Sequence, residues 1–256
     1  MENSKISMNT IDETVKEMNS PENLNSISSI KDYDANDTQP SSFSIFLGKR
    51  RSGKSILAEY YLKELVKNKQ IDIAYLLSET MAGFDSIDPK NKFKDIEKLK
   101  NLLENFRKMN QYNKVASKSD QIKLNVMVII DDMAVKLKSK EFNLLEDIAV
   151  NGRHIAYKPL SLHFCVLSQS LTKIPRVVRL NCDQIFLNMI ASSTEKDLVM
   201  GENFYLIAND LKSKRLGRKL YEDLVMEKDY QFIVIENYKQ NIKTYSDYVK
   251  KYRAII

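Results

Sequence analysis

Three observations in this sequence predict an α/β fold with a mostly parallel central sheet flanked by helices. Short β-rich apolar runs alternate with amphipathic stretches at helical spacing. The first such run leads directly into Gly48-Lys49-Arg50-Arg51-Ser52-Gly53-Lys54-Ser55, which fits G-x-x-x-x-G-K-[ST] at every fixed position. A later run, Leu124–Ile130, ends in Asp131 and Asp132, the pattern of a buried parallel strand whose carboxyl end opens at the ligand edge of a sheet.

Taken in order, residues Met1–Ser41 are rich in Asn, Ser, Asp and Glu and show one weak periodic stretch, Ile11–Met18, so they read as a disordered acidic arm. Residues 42–256 form the folded domain. Ser42–Leu47 is a short strand. From Lys54 to Asn68, Ile56, Leu57, Tyr60, Tyr61, Leu65 and Val66 recur at helical spacing. Ile71–Leu77 is a second buried strand, and Asp88-Pro89-Lys90-Asn91 breaks the chain. Phe93–Met109 is an amphipathic helix, and polar Gln111–Asp120 is a surface loop. After the Asp131-Asp132 strand comes a helix with Phe142, Leu144, Leu145, Ile148 and Ala149 on its core face. Asn151-Gly152 is the signal for its end. Ser161–Leu167 and Asp183–Met189 are further strands. The last third alternates helix (Ser193–Met200, Leu211–Met226) with strand (Gln231–Glu236), then ends in a Tyr/Lys-rich segment.

The glycine loop carries the chemistry. Gly48 and Gly53 let the chain curl so that successive N–H groups and the N-terminus of the following helix face negative charge, which makes a phosphate site. Lys49, Arg50, Arg51, Ser52 and Ile56 complete the candidate nucleotide-binding stretch. Lys54 would reach the β- and γ-phosphates, and the Ser55 hydroxyl would face Mg²⁺. Asp131 would hold that Mg²⁺ and Asp132 would orient or deprotonate an attacking water, provided the strand ends there so that the two side chains share one edge. Gln169, after Ser168 at the end of the next strand, could exchange hydrogen bonds between phosphate and water.

Composition narrows the rest. The 256 residues, 43% of them hydrophobic, can bury a sizeable core. Apolar runs are far shorter than the ~18 to 20 residues of a spanning helix, and no basic-then-apolar leader is present, so a cytosolic or nuclear compartment is expected. Cys165 and Cys182 lie in apolar stretches and read as buried thiols; with only His154 and His163 beside them, structural zinc is not expected. His163, within an apolar strand, reads as a core residue. The net charge of +6 is asymmetric: through Pro40 there are three Lys against eight Asp and Glu, which leaves +11 on the remainder. A basic core suits a polyanion. Lys212, Lys214, Arg215, Arg218 and Lys219 form one basic cluster. Tyr245, Tyr248 and Tyr252, interspersed with Lys243, Lys250, Lys251 and Arg253, form another; each could track a phosphate backbone or be a solvated face.

With phosphate loop, Asp-Asp strand, Gly152-Arg153 before the next strand and Ser168-Gln169 at its end, residues Ser42–Met189 resemble the FtsK/HerA superfamily of DNA-pumping ATPases, and within it the poxvirus-type genome-packaging ATPases of large DNA viruses and virophages. The resemblance implies a RecA/ASCE-like P-loop NTPase fold, with Gly48–Ser55 as Walker A and Asp131 and Asp132 as Walker B. It implies ATP as substrate, Mg²⁺ as cofactor, double-stranded DNA and capsid or other virion proteins as partners, and a homo-oligomeric ring without membrane insertion. The host cytoplasm at the assembly site, or the virion, is the implied location. It also implies catalytic roles for Lys54, Asp132 and Gln169, and for Arg153 as an arginine reaching into the neighbouring subunit's site, with Arg176 and Arg179 as rivals. The chain departs from cellular relatives at Ser170, where those often place Arg.

Two other classes fit the residues. A small-molecule phosphotransferase also uses such a loop but needs an acceptor pocket, and a nucleotide-gated DNA-binding or assembly protein would bind without much turnover.

Overall fold

The structure is a computed structural model that describes residues 30–131, 133, 143–202, 214–239 and 242–255, with the backbone alone for Arg153, Lys214 and Leu216. The acidic stretch 1–29, Asp132, Phe142 and Lys212 lie outside the described residues.

The strands are β1 (Phe43–Leu47), β2 (Ile73–Ser78), β3 (Lys92–Phe93), β4 (Leu124–Asp131), β5 (Leu160–Ser168), β6 (Gln184–Leu187), β7 (Gln231–Glu236) and β8 (Val249–Arg253). They form one sheet in the order β3-β2-β4-β5-β1-β6-β7-β8. Pairing is parallel from β3 through β6, while β7 runs antiparallel to β6 and β8 antiparallel to β7. The strand after the glycine loop's own is therefore not its neighbour; β5 is inserted between β1 and β4. The carboxyl ends of β1, β4 and β5 consequently open on one edge, which is where α/β sheets place ligands.

Helices α1 (Lys54–Lys67), α2 (Ile96–Val115), α3 (Asn143–Ile155), α4 (Arg176–Asn181), α5 (Ser193–Glu202) and α6 (Lys214–Met226) cover the two faces. Side chains alternate along each strand, so each strand feeds both cores. Phe43, Ile45 and Leu47 face the side of α2, α3 and α6, whereas Phe46 faces α1 and its Leu57, Tyr61 and Leu65. On the α1 side Phe46 stacks on Phe186 with ring centroids 4.2 Å apart. Fully burying side chains of this size contributes about 1.5–3 kcal/mol each.

Five readings of the sequence are corrected. The arm was expected to run to Ser41, but residues 30–41 pack on the sheet: Tyr33 is buried edge-on against Phe186 and Tyr252, its hydroxyl accepts from Gln184 Nε2 at 2.6 Å, and its N–H donates to Lys251 O. The expected loop Gln111–Asp120 is helical as far as Val115, because Asn110 and Asn113 are buried with partners; Asn113 donates to Ile122 O and accepts from Ile122 N. Phe93 belongs to an edge strand, and α2 starts after it with Asp95 as N-cap, accepting from Glu97 N at 2.9 Å.

Asn151-Gly152 does not end α3, which runs to Ile155. Ile155 and Ala156 are buried and anchor the last turn, and the Asn151 amide bonds back to Asp147 one turn earlier. That anchoring outweighs the ~1 kcal/mol cost of a helical glycine. Finally, Tyr245, Tyr248 and Tyr252 are buried rather than available to a phosphate backbone: Tyr252 packs into the core on the α1 side of the sheet, and Lys250 and Lys251 beside it are themselves half-buried.

Candidate nucleotide site

The loop after β1 is held from both sides. Gly48 N donates to Ser168 O of β5 at 3.3 Å, and Lys49 N donates to Met189 O just past β6 at 2.8 Å. A Cβ on Gly48 would lie 2.6 Å from Ser52 Oγ and 3.1 Å from Asn188 Cβ, so this cradle admits no side chain there. Gly53 takes φ +85°, a left-handed conformation natural to glycine, and starts α1. No side chain among the described residues caps that helix, so its first-turn amides are directed at the loop interior.

Inside the loop, the buried Lys54 donates through Nζ to Gly48 O at 2.8 Å and Lys49 O at 3.0 Å. Ser52 Oγ is buried and has no hydrogen-bond partner among the described residues. An orphaned hydroxyl, uncapped amides and a lysine at one point are a donor set made for an anion. Lys49, Arg50, Arg51 and Ile56 are exposed around the rim, Arg51 with φ +62°.

Ser55 Oγ donates to Asp131 Oδ2 at 3.0 Å, joining the loop's last residue to the end of β4. A hydroxyl and a carboxylate oxygen together are the oxygen ligands a hard cation such as Mg²⁺ selects, and they fit it. Ser168 is buried, its hydroxyl donating to Ser170 O at 2.8 Å, while the Gln169 side chain stands exposed at the carboxyl end of β5. Ser170 donates to Glu195 on α5.

Lys54, Ser55, Asp131 and Gln169 are thus gathered on one edge. Asp132 lies outside the described residues, as does the side chain of Arg153, whose backbone is in α3. Of the two rivals to Arg153, Arg179 is committed elsewhere: it is buried, meets Glu202 through Nε and Nη2 at 2.9 Å each, and also donates to Ile174 O at 2.8 Å. Arg176 is exposed at the start of α4.

Two residues beside the loop were passed over in the sequence. Asn188 spans β1 and β7, its N–H donating to Leu47 O at 2.8 Å and its Nδ2 to Gln231 O at 2.7 Å. Tyr230, in the turn before β7, lies against Gly53. Neither belongs to a motif: the parallel pairing of β6 with β1 brings Asn188 to the loop, and the antiparallel β7, which starts at the same edge, brings Tyr230.

The remaining candidates are structural. His163 is buried with Nδ1 3.0 Å from Ser42 Oγ, and burial pushes its pKa down to about 4. Cys165 and Cys182 are buried free thiols, the latter pushed up to about 12 by burial. Among the described residues no helix is long and apolar enough to cross a membrane.

The fold and this loop define the class as an α/β P-loop ATPase fold with a mostly parallel sheet. Particular likenesses are to the genome packaging NTPase B204 of Sulfolobus turreted icosahedral virus 2 in complex with ATP-gammaS, at TM-score 0.52 and 17% identity over 86% of this chain and 100% of that one. The pCW3 conjugation coupling protein TcpA with ATPgS matches at TM-score 0.57 and 14% identity, over 84% of this chain and 60% of that one. The cytoplasmic domain of the Thermomonospora curvata type VII secretion ATPase EccC matches at 0.50 and 13%, over 83% and 25%. At these identities the likeness is one of fold. No family model and no curated protein matches the sequence.

Proposed function

We propose that this chain hydrolyses ATP in an oligomeric ring to drive double-stranded DNA, as a genome-packaging motor of a virus. The observation that carries the reading is the Ser55–Asp131 hydrogen bond, which joins phosphate loop and acidic strand end beside an uncapped helix and an orphaned Ser52 hydroxyl. The fold shared with a viral genome packaging NTPase supports the choice of motor, and so does the +11 charge of the residues after Pro40.

In this reading Lys54 exchanges its two loop carbonyls for β- and γ-phosphate oxygens, and the α1 amides and Ser52 face the phosphate chain. Ser55 and Asp131 would hold Mg²⁺, which would supply positive charge to neutralise the charge developing on the phosphate oxygens. Asp132 orients the attacking water in line, and Gln169 senses whether the γ-phosphate is present. Arg153 of one subunit stabilises the charge in its neighbour's site. Capsid or other virion proteins dock the ring at the assembly site in the host cytoplasm or in the virion.

The test is phosphate release by purified protein with and without linear duplex DNA, with Asp132→Asn alongside. DNA stimulation that disappears in the variant is the expected result. Activity that requires a nucleoside or similar acceptor would select a phosphotransferase instead. ATP-driven assembly without phosphate release would select a nucleotide-gated binding protein.

A further inference from the structure

We infer that Tyr230 is the platform on which the base of the nucleotide stacks, an inference that rests on the nucleotide reading of the loop. The terminal phosphate end of the site is fixed by Ser55 and Asp131, on the β4 side of β1. A nucleoside triphosphate anchored there extends its ribose and base the other way along the carboxyl edge, toward β6 and β7. Leu187 pairs with Ile233 across β6 and β7, so Tyr230, three residues before Ile233, overhangs the end of β6 on that edge.

Its ring lies on the loop itself. A Cβ built on Gly53 would come 2.4 Å from Tyr230 Cδ1 and 3.0 Å from Cε1, while the side chain as a whole remains 39% exposed. The ring therefore touches the start of α1 and keeps part of its surface exposed.

The backbone holds it there at a cost. Tyr230 has φ +56°, a left-handed conformation that is uncommon for a bulky residue and marks a position fixed by its surroundings. Those surroundings are buried and polar: Gln231, next in the chain, donates through Nε2 to Leu224 O at 2.6 Å and Glu227 Oε2 at 3.0 Å, and its carbonyl accepts from Asn188, which flanks Gly48. The phosphate cradle and the aromatic ring are thus positioned by the same residue, Asn188. A flat aromatic ring selects for the presence of a base more than for its identity.

The experiment compares binding of ATP and of inorganic tripolyphosphate to the wild-type chain, Tyr230→Asn and Tyr230→Trp by calorimetry. Asparagine tolerates the left-handed conformation, so it removes the ring without straining the turn. Thermal melts of each variant confirm folding. Tyr230→Asn is expected to weaken ATP about tenfold and tripolyphosphate less than twofold. The chain contains no Trp, so Tyr230→Trp places a single reporter in the site, and its fluorescence should be quenched by ATP and not by tripolyphosphate. Equal losses for both ligands would make Tyr230 a mere support of the loop and overturn the inference, as would an unchanged ATP affinity. Wild-type protein that binds tripolyphosphate as tightly as ATP would overturn it while leaving the phosphate site intact. Binding of neither would overturn the nucleotide reading and this inference with it.

Discussion

The Ser55 hydroxyl donates a 3.0 Å hydrogen bond to Asp131 Oδ2, tying the first turn of α1 to the end of β4. Under the proposed function these two oxygens are the protein's share of the Mg²⁺ shell, so Ser55→Ala and Asp131→Asn should each lower hydrolysis on the order of 10²-fold. Both should raise the Mg²⁺ concentration needed for half-maximal rate, and chelation should silence the wild-type protein. A Mg²⁺ titration of phosphate release decides; an unchanged half-point in both variants would remove these residues from the metal site.

Arg153 and Arg179 should separate cleanly. Arg179 is buried against Glu202, and removing one partner of such a pair costs about 3–5 kcal/mol because the other charge is left without compensation. Arg179→Ala should therefore lower the urea midpoint while leaving the rate per folded molecule near wild type. Arg153→Ala should keep its midpoint and its ATP affinity and lose turnover by about 10³-fold or more. Mixing that variant with Lys54→Ala protein is a further check, since two subunits defective in different halves of a shared site recover activity together.

Much of this site was legible because the phosphate loop and the acidic strand end are local patterns: each needs only its own few residues to state its chemistry. The sheet was legible for the same reason, since runs such as Val126–Ile130 are apolar at every position and suit a strand buried on both faces. What could not be read depends on distant chain. Asn113 looks like a loop residue until Ile122 supplies its partners, and Gly152 looks like a cap until Ile155 is packed. Tyr252 looks like part of a basic surface until β8 pairs with β7, and Tyr230 meets the loop only because β7, antiparallel to β6, starts at the carboxyl edge.

Tyr33 offers a direct test of where the folded domain starts. Its ring contacts Phe186 and Tyr252, and its hydroxyl joins Thr38, Tyr61 and Gln184 in one buried network. Truncating a buried aromatic costs about 3–5 kcal/mol, and here the Gln184 amide is also left without its partner. Tyr33→Ala should therefore lower stability by several kcal/mol in urea denaturation, whereas a residue in a solvated arm would change it by less than about 0.5 kcal/mol.

His163 gives a pH signature in stability rather than in activity. It sits 3% exposed within β5, between Ser42 Oγ at 3.0 Å and Ser161 Oγ at 3.4 Å, and burial lowers its pKa from 6.5 to about 4. Between those two values the unfolded chain binds a proton that the folded chain refuses, so the imidazole's contribution makes stability fall as pH drops. The contribution is fully present above about pH 6.5, declines through the window and is lost near pH 4, for a total of about 3 kcal/mol. Replacing the imidazole with an amide removes the titration while keeping hydrogen-bonding atoms for the two serines. Other acids titrate alike in both proteins, so the difference between wild type and His163→Gln isolates the effect. Urea midpoints from pH 4 to 8 should show a gap that is constant above pH 6.5 and shifts in the variant's favour below it. A gap that stays constant down to pH 4 would mean that His163 takes up its proton in the folded protein as readily as in the unfolded one.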